Sequence, residues 1–120
     1  MKKGKTKIEK ITDLLIRFRD ERNWKQFHNS KDLAVAISIE AGELLENFLW
    51  KTIEQSKNLT EKERSNVKHE IADIFIFLIY LCEEYKIDLL KEVENKIAVN
   101  KAKYPVEKAK GSHKKYTELS

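Results

Sequence analysis

Turn-forming residues are scarce in this sequence. Its 120 residues include three glycines and one proline, where average usage would give roughly eight and six. A sheet protein of this size needs a turn about every 8–12 residues, built largely from Gly, Pro, Asn and Asp. Gly4 and Gly111 lie near the ends and Pro105 is late, which leaves Gly42 alone across the centre. That distribution argues against a sheet and predicts long helices in a single domain spanning 1–120 with a real core. Cysteine is nearly absent too: Cys82 can form no internal disulfide, and its apolar neighbours predict a buried, inert thiol. No apolar run approaches the ~20 residues of a bilayer span, because the longest, 71–82, is broken by Asp73. The N-terminal lysines precede no hydrophobic stretch, so no signal peptide is expected. A soluble, cytoplasmic protein with no membrane partner is the expectation.

Charge is plentiful but uneven. The formal net charge is +4, yet residues 96–115 hold seven lysines against Glu107 alone, a local balance of +6. A basic tail either keeps an end solvated or meets a polyanion, a nucleic acid or a small phosphate ester.

Helical periodicity supplies the frame. Thr6-Lys7-Ile8-Glu9 forms a capping box, after which Ile8, Ile11, Leu15 and Phe18 recur at helical spacing to about Arg22. Residues 24–29 break the pattern. Ser30 can cap a second helix, with Asp32 in its first turn, running through Leu33, Ile37, Leu44 and Phe48 to about Lys51. Thr60-Glu61-Lys62-Glu63 is a second capping box, opening a third helix that ends near Tyr85. Asp88 caps a fourth, stopped at Tyr104-Pro105 because a residue before proline is pushed out of helical geometry. The expected fold is therefore all-α: a four-helix bundle, residues 1–5 flexible, and an extended basic C-terminal tail over 106–120.

The second and third helices carry acids where apolar residues belong. Glu40 and Glu43 follow the run 33–39, and Glu70 and Asp73 precede the run 74–79. Each pair is spaced i, i+3 and shares a helix face. If the two helices pack together, the four carboxylates could converge. Repulsion and burial then require protons, basic partners or a cation, and all-oxygen ligands suit Mg²⁺ or Mn²⁺. Separate surface salt bridges are the alternative. A di-iron bundle would need Glu-x-x-His on two helices, and no histidine stands three residues after these acids. Carboxylate-held Mg²⁺ together with a lysine-rich end points to a phosphate ester as substrate. Lys96, Asn100 and Lys103 form one polar stripe on the fourth helix, although solvated lysines would look the same. Trp24, Phe27 and His28 in the first loop, and Trp50 at the end of the second helix, either stack on a nucleobase or fill core.

These residues resemble the MazG-like all-α nucleoside triphosphate pyrophosphohydrolases, and within them the dCTP pyrophosphatase branch. The resemblance covers Glu40-x-x-Glu43 with Glu70-x-x-Asp73, the loop Glu21-Arg22-Asn23-Trp24-Lys25-Gln26-Phe27-His28, and Trp50-Lys51. It continues in Asn100-Lys101-Ala102-Lys103-Tyr104-Pro105-Val106 and Lys115-Tyr116-Thr117-Glu118-Leu119. It implies Mg²⁺-dependent hydrolysis of a nucleoside triphosphate, dCTP first, to the monophosphate and pyrophosphate, with Mn²⁺ a possible substitute. Glu40, Glu43, Glu70 and Asp73 would hold the metal, and one of them, or a hydroxide on the metal, would prepare the water. Lys96 and Asn100 match phosphate-gripping positions, Lys103, Lys115 and Tyr116 would close over the phosphates, and Trp24, His28 and Trp50 match the base and sugar pocket. Phe77 stands where relatives often place Tyr, a departure near the sugar. The resemblance also implies a dimer or tetramer whose site a neighbouring subunit completes, and no nucleic acid partner. Two rival readings remain: a nucleic-acid-binding helical module and a purely structural oligomerisation domain.

Overall fold

The computed structural model describes residues 4–120; the stretch expected to be flexible, 1–5, falls partly outside them. Helix α1 spans Lys7–Glu21, and the Thr6 hydroxyl accepts from the Glu9 amide as the capping motif requires. A short 3₁₀ turn over Lys25–Phe27 occupies the expected loop. Helix α2 spans Ser30–Glu46, and its cap is Asn29 rather than Ser30: Asn29 Oδ1 accepts from the Asp32 amide. Asn caps as well as Ser, and the cap one residue earlier brings Ser30 into the first turn.

Helix α2 also stops five residues before the expected Lys51. Trp50 then sits outside the helix at φ +67°, in the left-handed region. Thr52 follows with a complete capping box to Gln55 and opens a short helix, α3 (Ile53–Lys57), which hydrophobic periodicity did not reveal. Helix α4 (Glu61–Tyr85) begins at the Thr60–Glu63 capping box, present in both directions, and ends at Lys86 in left-handed geometry. Lys51 pairs with Glu63, tying the segment after α2 to the first turn of α4. The hydrogen bond from Lys51, and then the Thr60 backbone amide, hold Glu63 down to about 2.

Helix α5 (Leu89–Lys103) starts at Asp88, whose carboxylate accepts from the Lys91 amide, and ends at Tyr104 as expected. The following segment is not simply extended. Pro105, with φ −58°, leads into a helical turn, α6 (Val106–Ala109), and Tyr116–Glu118 forms a 3₁₀ turn. Proline pre-sets the φ of a helix start, so the residue that stops α5 also opens α6. Tyr116 packs edge-on against Tyr104 at 6.0 Å, and the Lys103 ammonium lies 4.6 Å from the Tyr116 ring centre.

The chain divides into two compact units, one up to Lys86 and the other Ile87–Ser120. In the first, α4 packs against both α2 and α1. Its core is thinner than expected. Among the described residues the buried apolar side chains are Leu33, Ile79 and Tyr80, at 2, 3 and 5% exposure, while Ile39 on α2 and Ile71 and Phe75 on α4 are exposed. Cys82 is half-buried, and burial raises its thiol pKa. No helix is long and apolar enough to cross a membrane among the described residues.

Candidate metal centre and its surroundings

Packing of α2 against α4 brings Glu40, Glu43 and Glu70 together. One carboxylate oxygen from each lies within 4.8 Å of the others. Glu40 and Glu70 are half-buried and Glu43 is exposed. Glu40 Oε2 and Glu70 Oε2 are buried without any hydrogen-bond partner. With every carboxylate ionised, no donor is present to satisfy them. A proton on Glu40 shared with Glu70 supplies one, and that hydrogen bond, followed by burial and by Glu43, pushes Glu40 up to about 7.

Unpartnered buried carboxylate oxygens are the observation a metal site needs, because an uncompensated buried anion is costly. The donors are all oxygen, which fits a hard divalent cation. Asp73 is not part of the triple. It lies half-buried one turn beyond Glu70 on α4, so three of the four expected carboxylates converge within this chain.

The aromatic residues divide. Trp24 packs edge-on against Phe18 at 5.6 Å, with the Arg22 guanidinium 3.7 Å from the Phe18 ring centre. The His28 ring lies 4.6 Å from that of Tyr80. Trp50 does not end α2 and is 98% exposed among the described residues. Phe77 is half-buried on α4, one turn past Asp73. Lys96, Asn100, Lys103, Lys115 and Tyr116 belong to the second unit, where Lys96, Asn100 and Lys115 are exposed.

Two residues escaped the sequence reading. Arg19 is buried at 6% exposure, whereas Phe18, placed on the apolar stripe, is 43% exposed. The signal was present: Arg19 follows Leu15 by four residues, so it continues the stripe of Ile11 and Leu15. Tyr80 is buried, and its hydroxyl donates to the Leu15 carbonyl at 2.8 Å, joining α4 to α1.

Comparison with known proteins follows the same lines. A family model described as the MazG-like family matches residues 35–119. The dCTP pyrophosphatase 1 of Homo sapiens is 37% identical over 114 residues, covering 93% of this chain and 67% of that protein. That of Bos taurus is 38% identical over 114 residues, covering 93% and 68%. A solved pyrophosphatase from Archaeoglobus fulgidus DSM 4304 superposes with a TM-score of 0.81 at 38% identity, covering 88% of this chain and 98% of that one.

Proposed function

Because the chain belongs to the MazG-like family and is a nucleotide pyrophosphatase, we propose that it hydrolyses dCTP or a related pyrimidine deoxynucleoside triphosphate, with Mg²⁺, to the monophosphate and pyrophosphate. The observation that carries the metal part is the carboxylate triple with two buried, unpartnered oxygens. The substrate part is supported by relatives named dCTP pyrophosphatase at 37–38% identity.

Glu40, Glu43 and Glu70 would hold the cation, with Asp73 one turn away to complete the set. Bound there, Mg²⁺ would neutralise phosphate oxygens and favour departure of pyrophosphate. Glu43 is the triple's exposed member, and it takes the proton of the attacking water. Water and the triphosphate give the two products and one proton. Lys96, Asn100, Lys103, Lys115 and Tyr116 neutralise and close over the phosphates. Trp24, His28 and Trp50 receive the base and sugar, with Phe77 beside the sugar.

The protein works as a homo-oligomer, a dimer or tetramer. Exposed Ile39, Ile71 and Phe75 flank the acids on α2 and α4, and a second copy covers them. Trp50, solvated in one subunit, enters the site of another. Incubation with Mg²⁺ and a panel of normal and modified nucleoside triphosphates should release pyrophosphate, most rapidly from dCTP. Orthophosphate, or no release, would overturn the reading. Light scattering after gel filtration should return a dimeric or tetrameric mass; a monomer would sink the assembly.

A further inference from the structure

The turn that carries Trp50 is strained, and the bonds around it show what holds it. The Lys51 amide donates to the Phe48 carbonyl at 3.1 Å, closing a four-residue turn over 48–51. Trp50 is its third residue, with φ +67°. A left-handed backbone there is normally given to glycine, and for another L-residue it persists only where neighbouring contacts over-determine it. With Trp50 98% exposed, the indole supplies little of that restraint. It comes from the chain on either side.

Before the turn, the Asn47 and Phe48 amides donate to the Leu44 and Leu45 carbonyls at 3.3 and 2.9 Å, carrying α2 into it. After it, the Thr52 hydroxyl accepts from the Gln55 amide at 3.1 Å, and the Thr52 amide donates to Gln55 Oε1 at 2.9 Å, which fixes the start of α3. Those bonds are local and tie the turn to no other element. Lys51 does so: its ammonium pairs with Glu63 Oε2 in the first turn of α4. Glu63 Oε1 meanwhile accepts from the Thr60 amide at 2.9 Å. One carboxylate thus serves the helix cap with one oxygen and the Trp50 turn with the other.

Among the described residues this is the ion pair with both side chains under a third exposed, at 22 and 28%. Pairs between solvated groups contribute little, whereas partly buried ones are screened less. Without the tie, Trp50 can relax to negative φ, the favoured region for an L-residue. Its Cα–Cβ bond then leaves the chain in another direction. For a ring this exposed, that bond sets where it points.

We propose that Lys51 and Glu63 are positioning residues whose ion pair holds the strained turn and so fixes the direction in which the Trp50 indole is presented to a second copy. The proposal rests on the reading above that places Trp50 in a neighbouring subunit's site, and it adds the device that presents the ring.

The test combines kinetics with ¹⁹F NMR of the 120-residue protein carrying fluorotryptophan at Trp24 and Trp50; the line lost in Trp50→Phe is that of Trp50. Glu63→Gln separates the two duties of the carboxylate, because Gln also completes a capping box while its charge toward Lys51 is gone. Glu63→Gln and Lys51→Met should each shift and broaden the Trp50 line and leave that of Trp24 in place. With dCTP, each should raise KM about fivefold while kcat stays within about twofold. Lys51→Arg, which keeps the charge, should return both the line and KM toward the wild type. The double variant should be no worse than either single one, since one interaction is lost in all three. Circular dichroism checks folding; should Lys51→Met not fold, Glu63→Gln and Lys51→Arg carry the test. An unmoved Trp50 line in the folded Glu63→Gln variant would overturn the proposal. So would equal shifts of both tryptophan lines, an unchanged KM, or equal losses of kcat and kcat/KM. If the wild type hydrolyses no nucleotide, or Trp50→Gly leaves KM unchanged, the reading of Trp50 fails and the kinetic consequence falls with it, while the ¹⁹F lines still decide whether the pair holds the turn.

Discussion

Glu40→Gln should stabilise the metal-free protein while removing its turnover. The oxygens of Glu40, Glu43 and Glu70 lie within 4.8 Å of one another. At that separation two unit charges repel by about 0.9 kcal/mol in water-like surroundings. Glu40 takes part in two of the three pairs, so neutralising it relieves about 2 kcal/mol before screening. Glu43 is exposed, and discounting for solvent and salt leaves about 1 kcal/mol, or about 4 °C in Tm for a chain of this size.

The gain depends on pH with a definite sign. Glu40 titrates near 7 in the folded protein against an ordinary value of 4.5, so the folded state binds the extra proton between those limits. The cost of the cluster is absent below about 4.5, grows as pH rises, and is complete above about 7. Magnesium should reverse the order of stabilities. A ligand at 100 times its Kd stabilises the state it binds by about 2.7 kcal/mol, more than the repulsion it offsets, and the variant has lost one of the carboxylates. Differential scanning fluorimetry at fixed protein concentration, at pH 5 and pH 8, with EDTA or Mg²⁺, reads all four corners. The variant should melt higher in EDTA at pH 8, match the wild type more closely at pH 5, and melt lower in Mg²⁺ at pH 8. A lower melting point in EDTA at pH 8, or an equal Mg²⁺ gain in both proteins, would refute the reasoning.

Other substitutions separate fold from function. Trp50 has φ +67°, a conformation costing roughly 1–2 kcal/mol for an L-residue other than glycine. Trp50→Gly should hold or raise Tm while raising KM for dCTP; a protein both less stable and kinetically unchanged would remove Trp50 from the substrate site. A methyl group added at Gly42 meets nothing within 4 Å among the described residues, so no described helix explains that glycine. Gly42→Ala should stabilise the helix by about 1 kcal/mol. Loss of activity or of the oligomer would place the substrate or the second copy there, and full activity would show the glycine dispensable. Lys51→Met should lower the urea midpoint at pH 7 and have little effect at pH 2. The depressed Glu63 pKa, about 2, contributes stability above about 4.5 that is lost as pH falls toward 2. An equal effect at both pH values would assign the loss to packing.

What could be read in the chain follows from how local each signal is. The caps at Thr6, Thr60 and Asp88 were legible because capping is a contact between residues three apart. The end of α2 was not, since Leu44 and Phe48 continue the helical period while the chain itself turns at Trp50. Periodicity marks a face but not where that face stops. Glu40, Glu43 and Glu70 were legible as acids against apolar runs, a contradiction within each helix. Which of four would meet depends on the register of α2 against α4, and that register brings in three. Arg19 continues the spacing of Ile11 and Leu15, so its burial follows the period of α1, while a charged side chain by itself does not mark a core position.

Local folding rules are broken at a few positions here, and those positions coincide with the proposed chemistry. A tryptophan holds a left-handed backbone in full solvent, and one oxygen on each of two half-buried carboxylates lies buried without a donor. Each is unfavourable for the isolated chain. A sequence that satisfies its caps and helical periods elsewhere is expected to break such rules where a ligand or a partner compensates. The cation accounts for the carboxylates and the second copy for the tryptophan. These compensations are physically independent, so the Glu40 and Trp50 variants should fail separately: metal stabilisation in the first, base affinity in the second.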